Sequence, residues 1–251
     1  MITETPPKRI RPPAVASMFY PGNAAELRNT VRSYLREADA EQNAFQLKNE
    51  ENSDLRALIV PHAGYSYSGN IAASAFRLLQ NNQPQFKRVL LLGPAHRVYL
   101  QGAAFPVADV FETPLGGIKL DKERIRILTE TYPWISLNDT AHAEEHSLEV
   151  QLPFLQETLG DFELLPLVVG ETKTEQLADM IQQFSADLST LIVVSTDLSH
   201  FHDYQTAQQK DAFTASVIEL LDPQKLSPED ACGAYPLSGA LVAAFQNKWK
   251  I

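Results

Sequence analysis

The sequence predicts an α/β protein with three layers, in which helices cover both faces of a mostly parallel sheet. Longer segments with helical periodicity separate short aliphatic runs, which is the pattern of right-handed βαβ units. The composition is uniform along the chain, so we expect a single domain over residues 1–251. Strands buried on both faces are nearly continuous in Leu, Ile and Val, and four runs fit: Ala57–Val60, Arg88–Leu92, Leu164–Val169 and Leu191–Ser195.

The remaining elements follow in chain order from a polar, Pro-rich start. A helix is predicted from Ala24 to about Ala38, with Asn23 as its N-cap. Residues 39–54 are polar and amide-rich, and we expect them to form a mobile loop. The later helical patterns alternate with the strands: Ser68–Leu79, Lys122–Tyr132, Glu145–Leu159, Thr174–Leu188 and Tyr204–Leu221.

Composition limits the classes of function. A net charge of −10 disfavours binding to nucleic acids or to anionic membranes, because both need a surplus of Lys and Arg. No apolar run in the sequence is long enough to span a bilayer, and the N-terminus lacks the apolar region of a secretory signal. The single cysteine, Cys232, rules out an internal disulfide and fits a reducing compartment. We therefore expect a cytoplasmic protein without a nucleic-acid or membrane partner.

Polar residues follow three of the four predicted strands. His62 comes shortly after the first strand, His96 after the second, and Asp197 and His200 after the fourth. The carboxyl ends of parallel strands meet at one edge of the sheet, which is where open α/β folds bind ligands. Neutral imidazole is the commonest metal ligand, so this edge is a candidate metal site. A histidine at a strand end is, taken alone, more often a hydrogen-bonded loop residue than a ligand, and it is the pair of histidines after Pro-containing turns that makes the two interpretations about equal.

A second polar cluster opens the predicted helix Glu145–Leu159. His146 and Glu149 would lie one turn apart on one face of this helix. His146 is a candidate proton carrier, because it stands beside an acidic turn. We interpret Glu144 and Glu145 as acids that complement the positive end of the helix dipole.

Other residues are ambiguous when they are taken one at a time. Cys232 alone is interpreted as a small buried hydrophobe, although Gly233 after it allows a close approach of the backbone to a cleft. Histidines 142 and 202 are expected to be solvated loop residues. Three aromatic residues either shape an apolar pocket or pack in the core, with packing favoured for the last: Tyr65, Tyr67 and Phe201.

Five motifs in order along the chain resemble the signatures of the Memo family, whose prokaryotic members are called AmmeMemoRadiSam system protein B. The resemblance covers essentially the whole chain and includes a similar opening segment. It implies a fold like that of the class III extradiol dioxygenases, which are non-haem iron enzymes. The motifs are Val60–Tyr65 with Ser68–Gly69, Gly93–His96, Glu145–Glu149 with Gln151–Pro153, Ser195–His200, and Cys232–Gly233 before Tyr235–Pro236.

The resemblance also implies a set of metal ligands. These ligands are His62, His96 and Cys232, with Asp197 and His200 nearby in the cleft. In the dioxygenases the third ligand is a carboxylate, whereas a thiolate is softer and shifts the preference toward copper or zinc as well as iron. The leading hypothesis is therefore a redox enzyme or dioxygenase-like protein that carries one iron or copper ion, with zinc as the other candidate.

Roles can be assigned within this hypothesis. His200 or His146 would move protons, and Asp197 would orient a ligand imidazole. Tyr65 and Glu145 are the candidate substrate-binding residues, for a small molecule or peptide that the sequence does not identify. The alternatives are a zinc hydrolase and a protein that binds a metal, metabolite or peptide without turnover. The family name implies a functional link to a radical-SAM protein.

The C-terminal end departs from the family pattern. Family members usually continue past the last helix with a further strand region, whereas this sequence ends at Trp249–Ile251. Either the chain is shortened or this member lacks an edge element. In both cases we expect some loss of the cleft wall.

Overall fold

A computed structural model describes residues 7–44, 55–81 and 86–250. Helices flank a six-stranded sheet on both faces, which confirms the predicted three-layer α/β fold. The strands in chain order are β1 (Ile10–Arg11), β2 (Ala57–Val60), β3 (Arg88–Pro94), β4 (Ala103–Phe105), β5 (Val110–Thr113), β6 (Gly116–Lys119), β7 (Ile135–Leu137), β8 (Glu163–Val169) and β9 (Thr190–Ser195).

The large sheet has the order β2-β9-β3-β8-β4-β7, and every neighbouring pair is parallel except β4 with β8. The four predicted strands form one contiguous block of this sheet, so the prediction of a mostly parallel core is confirmed. A small second sheet pairs β1 parallel with β5, and β5 antiparallel with β6. The short strands outside the block were not predicted.

The helices are α1 (Ala24–Ala44), α2 (Tyr65–Phe76), α3 (Leu78–Asn81), α4 (Lys122–Thr131), α5 (Asp139–Ala143), α6 (Leu152–Leu159), α7 (Thr174–Gln182), α8 (Tyr204–Glu219) and α9 (Ala234–Gln246). Asn23 caps α1 as predicted, since its side chain accepts from the backbone N–H groups of Ala25 and Glu26. The loop expected over residues 39–54 is wrong in its first part, where α1 continues to Ala44. Residues 45–54 lie outside the described residues.

The helix predicted over Glu145–Leu159 is wrong in its first half. An irregular turn follows α5, a 3-10 turn covers Glu149–Gln151, and α6 begins only at Leu152. Glu145 and Glu149 are both buried, and they bind partners in different directions. A continuous helix would put residues four apart on the same face, so it could not satisfy both carboxylates.

The core sits around the two central strands. Residues 89–92 of β3 and 191–194 of β9 are at most 1% exposed, because helices cover both faces. Helices α1, α2 and α6 pack on one another, whereas α9 packs on α7 and also contacts β3 and β9. Among the helices that the structure describes, none has the length and apolarity needed to cross a bilayer. The carboxyl ends of β2, β9 and β3 are left together at one edge of the sheet.

Candidate metal centre

Three neighbouring strands end at this edge and present the polar residues of the site. β2 leads into His62, β3 into His96 and β9 into Asp197, and β9 lies between the other two strands. The backbone N–H of His62 donates to Asp197 Oδ1 at 2.7 Å, so the ends of β2 and β9 are tied together. The strand-end pattern in the sequence therefore corresponds to one cleft.

Three imidazoles meet in this cleft. Their ring centroids are 5.1 Å apart for His62 and His96, 5.4 Å for His62 and His146, and 4.7 Å for His96 and His146. One ring nitrogen from each residue lies within 4.8 Å of the others, so the three side chains could hold a metal ion. His62 is buried, whereas His96 and His146 are partly accessible from the cleft. The turn between α5 and the 3-10 turn delivers His146.

The thiol of Cys232 joins the cluster from the start of α9. Its Sγ lies 3.2 Å from His62 Nε2 and accepts from the backbone N–H of Asp197 at 3.3 Å. Burial raises the pKa of the thiol, but hydrogen bonds with His62 and His96 outweigh burial and lower the pKa to about 6. The lowered pKa favours formation of the thiolate, which is the form that binds metals.

Gly233 allows the start of α9 to lie against the end of β9. A Cβ at this position would lie 2.7 Å from Thr196 Cβ and 2.9 Å from the Ser195 carbonyl oxygen, both far inside contact distance. The N–H of Gly233 donates to Thr196 Oγ1 at 2.9 Å. The close approach expected at this glycine is therefore present, and it brings Cys232 to His62.

Glu145 is buried and holds His96 in place. Its carboxylate accepts from the backbone N–H of His96 at 2.6 Å, from His96 Nδ1 at 3.0 Å, and from the backbone N–H groups of His146 and Ser147 at 2.9 Å each. Burial raises the pKa of Glu145, but these hydrogen bonds outweigh burial and lower it to about 2. The interpretation of Glu145 as a helix-start acid is wrong, because no helix starts there.

The protonation of the imidazoles follows from their partners. An ionised carboxylate only accepts hydrogen bonds, so His96 Nδ1 carries a hydrogen and Nε2 is left for the cleft. Burial lowers the pKa of His96, but hydrogen bonds with Cys232 and Glu145 raise it to about 9. Burial lowers the pKa of His146 to about 4, and the attraction of Glu145 does not offset it. His146 is therefore neutral at pH 7.

A buried ring nitrogen without a hydrogen bond bears on whether these residues fit a metal ion. His146 Nδ1 is buried and forms no hydrogen bond within the described residues, although Oε1 of Glu145 lies 3.4 Å from it. Buried polar atoms are almost always paired, and a metal ion is one partner that would satisfy a ring nitrogen. The imidazoles of His62 and His96 and the thiol of Cys232 form a donor set that suits iron, copper or zinc.

Asp197 and His200 lie on the open side of the cluster. Asp197 Oδ2 is 3.9 Å from His62 Nε2 and 3.7 Å from His200 Nε2, and the His200 side chain is half-exposed. Phe201 is fully exposed, so the packing favoured for it is wrong. Its φ of 60° lies in the left-handed region, which turns the chain so that the ring points into solvent.

Other predicted residues lie elsewhere. Tyr65 is buried and its hydroxyl donates to the carbonyl of Val150 at 2.8 Å, so its role in substrate binding stays a prediction. The expectation of a solvated His142 is wrong, because it is buried on α5 and its Nε2 donates to the carbonyl of Ala104 at 2.9 Å. Burial lowers the pKa of His142 to about 4. His202 is exposed, as predicted.

The N-terminal segment forms a wall of the cleft that the sequence did not reveal. Phe19 packs on His146 with 4.8 Å between ring centroids. Glu149, which is fully buried, fixes this segment by accepting from four donors. The donors are the guanidinium of Arg11, the N–H groups of Ala14 and Val15, and the hydroxyl of Tyr20.

Ser195 is the other site residue without a predicted role. Its Oγ lies 2.9 Å from His62 Nδ1, on the side of the ring that faces away from Cys232. The available signal was a hydroxyl at the last position of an otherwise aliphatic strand. A buried polar group needs hydrogen-bond partners, so its position next to the strand-end residues pointed to a contact inside the site.

Comparisons with known proteins agree with these features. A family model described as Memo-like protein matches residues 11–242, which include every residue of the cluster. A MEMO1 family protein from Aquifex aeolicus is 36% identical over 223 residues, covering 87% of this chain and 78% of the relative. A MEMO1 family protein from Methanobrevibacter smithii is 33% identical over 248 residues, covering 93% and 86%. One from Nitrosopumilus maritimus is 30% identical over 244 residues, with the same coverage.

Proposed function

This chain belongs to the Memo family, and from that premise we propose that it is a metal-dependent oxidoreductase that holds one iron or copper ion in its cleft. The observation that carries the proposal is the convergence of three imidazoles and one thiolate at the ends of adjacent strands. We assign His62, His96 and Cys232 as the ligands. When bound, such an ion supplies one-electron redox chemistry to a substrate in the cleft.

The surrounding residues support this assignment. Glu145 orients His96 through Nδ1, and a carboxylate in this position strengthens an imidazole as a ligand. The thiolate of Cys232 contributes the soft donor that favours copper and iron over magnesium or calcium. Phe19 packs against His146 with the two rings tilted by 43°, so the N-terminal segment contacts the cluster on that side.

Proton movement is assigned to residues on the open side. His146 is neutral at pH 7 and is placed to accept a proton from a substrate. Asp197 lies between His62 and His200, so His200 can exchange protons with solvent and Asp197 can hold the charge that results. Asp197 and His200 thus connect His62 with the solvent on the open side of the cleft.

The surroundings of the cleft and the family suggest a substrate class, a partner and a compartment. We propose a small molecule or a peptide that enters past His200 and the exposed ring of Phe201. A functional link to a radical-SAM protein rests on the family name alone. A reducing cytoplasm suits a protein whose thiolate has no disulfide partner.

Metal analysis of anaerobically purified protein tests the proposal. We expect about one equivalent of iron or copper in the native protein, and its loss in His96→Ala and in Cys232→Ser. His202→Ala is the matched control, because this histidine is exposed and should leave the metal content unchanged. A native protein without stoichiometric metal after anaerobic reconstitution would refute the metal site. Metal without dioxygen uptake in the presence of a reductant would refute the redox activity.

A zinc hydrolase is the second candidate, and one observation favours it. The three imidazoles alone form a group that could hold an ion, and three-histidine sites are typical of catalytic zinc. This candidate predicts zinc that is lost in His146→Ala but kept in Cys232→Ser. The proposed oxidoreductase predicts the reverse pattern, so the same pair of variants separates the two.

A further inference from the structure

We propose that Ser195 and Gln151 are positioning residues that fix the imidazole of His62 in one tautomer, with hydrogen on Nδ1 and the lone pair of Nε2 facing the cleft. The inference deepens the proposed function, since it explains how His62 is prepared as a ligand. It concerns the metal-free protein as well, so it can be tested separately from metal binding.

The hydroxyl of Ser195 has three partners. Its Oγ lies 2.6 Å from the carbonyl oxygen of Ser147, 2.8 Å from Nε2 of Gln151 and 2.9 Å from Nδ1 of His62. Ser195 is fully buried, and Gln151 is only 1% exposed. Water therefore does not compete for these contacts.

The direction of each hydrogen bond follows from what each group can do. A carbonyl oxygen only accepts, so Ser195 must donate its one hydrogen to Ser147. The hydroxyl oxygen can then only accept from its other two partners. An amide nitrogen donates, and therefore Gln151 fills one lone pair of the hydroxyl. The second lone pair is left for His62, whose Nδ1 must carry the hydrogen.

Gln151 fixes both the ring and the backbone of His62. Its second N–H donates to the carbonyl oxygen of Pro61 at 2.8 Å, and Pro61 directly precedes His62. This carbonyl also determines how the amide is oriented, because only the nitrogen end of the side chain can donate to it. The tautomer of His62 is thus determined by a chain of groups that begins with two backbone carbonyls.

The other side of the ring would favour the opposite tautomer without Ser195. His62 Nε2 faces Cys232 Sγ at 3.2 Å and Asp197 Oδ2 at 3.9 Å, and both are acceptors when ionised. An N–H at Nε2 would be stabilised there and would occupy the position that a ligand lone pair needs. Ser195 and Gln151 act against this tendency with neutral groups.

Nitrogen-15 NMR of histidine-labelled, metal-free protein tests the tautomer directly. In the native protein we expect hydrogen on His62 Nδ1 and none on Nε2. In Ser195→Ala we expect a shift of hydrogen to Nε2. Ser147→Ala is the matched control, because it also removes a buried hydroxyl, one that donates to Pro94 and does not touch His62. Its backbone carbonyl still accepts from Ser195.

Affinity for Zn²⁺, measured by competition with a chelator, is the second readout. Loss of a residue that orients a ligand costs about 10- to 100-fold in metal affinity, so we expect this loss in Ser195→Ala and less than about threefold in Ser147→Ala. A native protein that binds no Zn²⁺, iron or copper would refute the proposed function, whereas the NMR result would still decide this inference. Hydrogen on Nε2 in the native protein would overturn it without any variant. An unchanged tautomer and affinity in Ser195→Ala would overturn it as well.

Discussion

Residues 142–149 carry two histidines and three glutamates, and four of these residues form two pairs that do different things. Glu145 and His146 turn toward the cleft, where Glu145 binds the ring of His96 and Nδ1 of His146 forms no hydrogen bond with any residue that the structure describes. His142 and Glu149 turn toward the N-terminal segment and the sheet, where every polar atom of the Glu149 carboxylate and the Nε2 of His142 is paired within the protein.

This difference teaches that burial and charge do not mark a functional residue by themselves. Glu145 and Glu149 are equally buried, and each accepts several hydrogen bonds. The partners of Glu149 are a guanidinium, a phenol and backbone amides, which have nothing further to offer. The partner of Glu145 is an imidazole with a second nitrogen. Glu145 therefore binds a side chain that has a second nitrogen facing the cleft, whereas the partners of Glu149 have no such group. This is what distinguishes the site residue from the structural one.

The largest expected effect is on stability, and it concerns the buried pair of Glu149 and Arg11. Glu149→Gln leaves the buried guanidinium of Arg11 without its counter-charge, and uncompensated buried charges cost about 3–5 kcal/mol. Urea unfolding at pH 7 should show this loss. Glu157→Gln is the control, because its partners Arg28 and Arg32 are largely exposed, and it should cost much less. A loss in Glu149→Gln no larger than in this control would contradict the assignment.

The second effect concerns the buried histidine. His142 has a folded-state pKa of about 4, below the ordinary value of 6.5, because burial disfavours its charged form. As the pH falls below 6.5 the unfolded chain takes up the proton first, so stability is lost between pH 6.5 and 4. The full difference corresponds to roughly 3 kcal/mol. Unfolding free energies of the native protein and His142→Gln, measured from pH 7 to 4, should converge toward acid; parallel curves would count against this.

The third effect concerns Glu145 and is expected in metal affinity. Glu145→Gln keeps one oxygen, which can replace Oε1 toward the backbone N–H groups of His146 and Ser147. It removes the charge that faces His96 Nδ1 and loses the second acceptor, Oε2, for the backbone N–H of His96. We expect metal affinity to fall by about 10- to 100-fold, with a smaller loss of stability than in Glu149→Gln. Chelator competition and urea unfolding on the same two variants give both numbers. If Glu145→Gln lowered the free energy of unfolding as much as Glu149→Gln and left metal affinity unchanged, Glu145 would be a structural residue like Glu149.

The smallest effect is expected for an exposed ion pair, and it tests whether burial accounts for the contribution of charged residues to stability. Arg126 bonds to Glu123 and Glu130 on the surface of α4, and these hydrogen bonds raise the pKa of Arg126. Solvent screens exposed pairs, so Glu130→Gln should leave the urea midpoint without a measurable change. A clear shift of the midpoint would mean that surface charge, rather than burial, accounts for part of the Glu149 effect.

Much of the fold could be predicted because the central strands are nearly pure aliphatic runs. The block of β2, β9, β3 and β8 carried that signal, whereas β4 and β7 are three residues each and β6 begins with two glycines. Such short or glycine-containing strands have no distinctive period and form only against neighbours. The helical pattern before Leu152 was misleading, because two buried carboxylates with different partners override local propensity.

The residues of the site also include some that the sequence predicts and some that it does not. His62, His96 and Asp197 were predicted from their positions after parallel strands, which is a geometric rule that needs no structure. Cys232 came only from the resemblance, since it precedes a helix and no spacing rule connects it to the strands. Ser195 and Phe19 act through contacts with side chains that are distant in sequence. Their roles depend on tertiary packing, which periodicity does not encode.

The position of β9 between β2 and β3 sets the time at which the site can assemble during synthesis. His62 and His96 are translated early, yet their strands meet only through β9. Ribosomes add about 5–20 residues per second, so β9 follows β3 by several seconds, and Cys232 emerges later still. A nascent chain therefore presents scattered histidines rather than a chelating cluster. If the proposed function is correct, a metal ion can be selected only after Cys232 has been synthesised, when the thiol that would discriminate among ions is present.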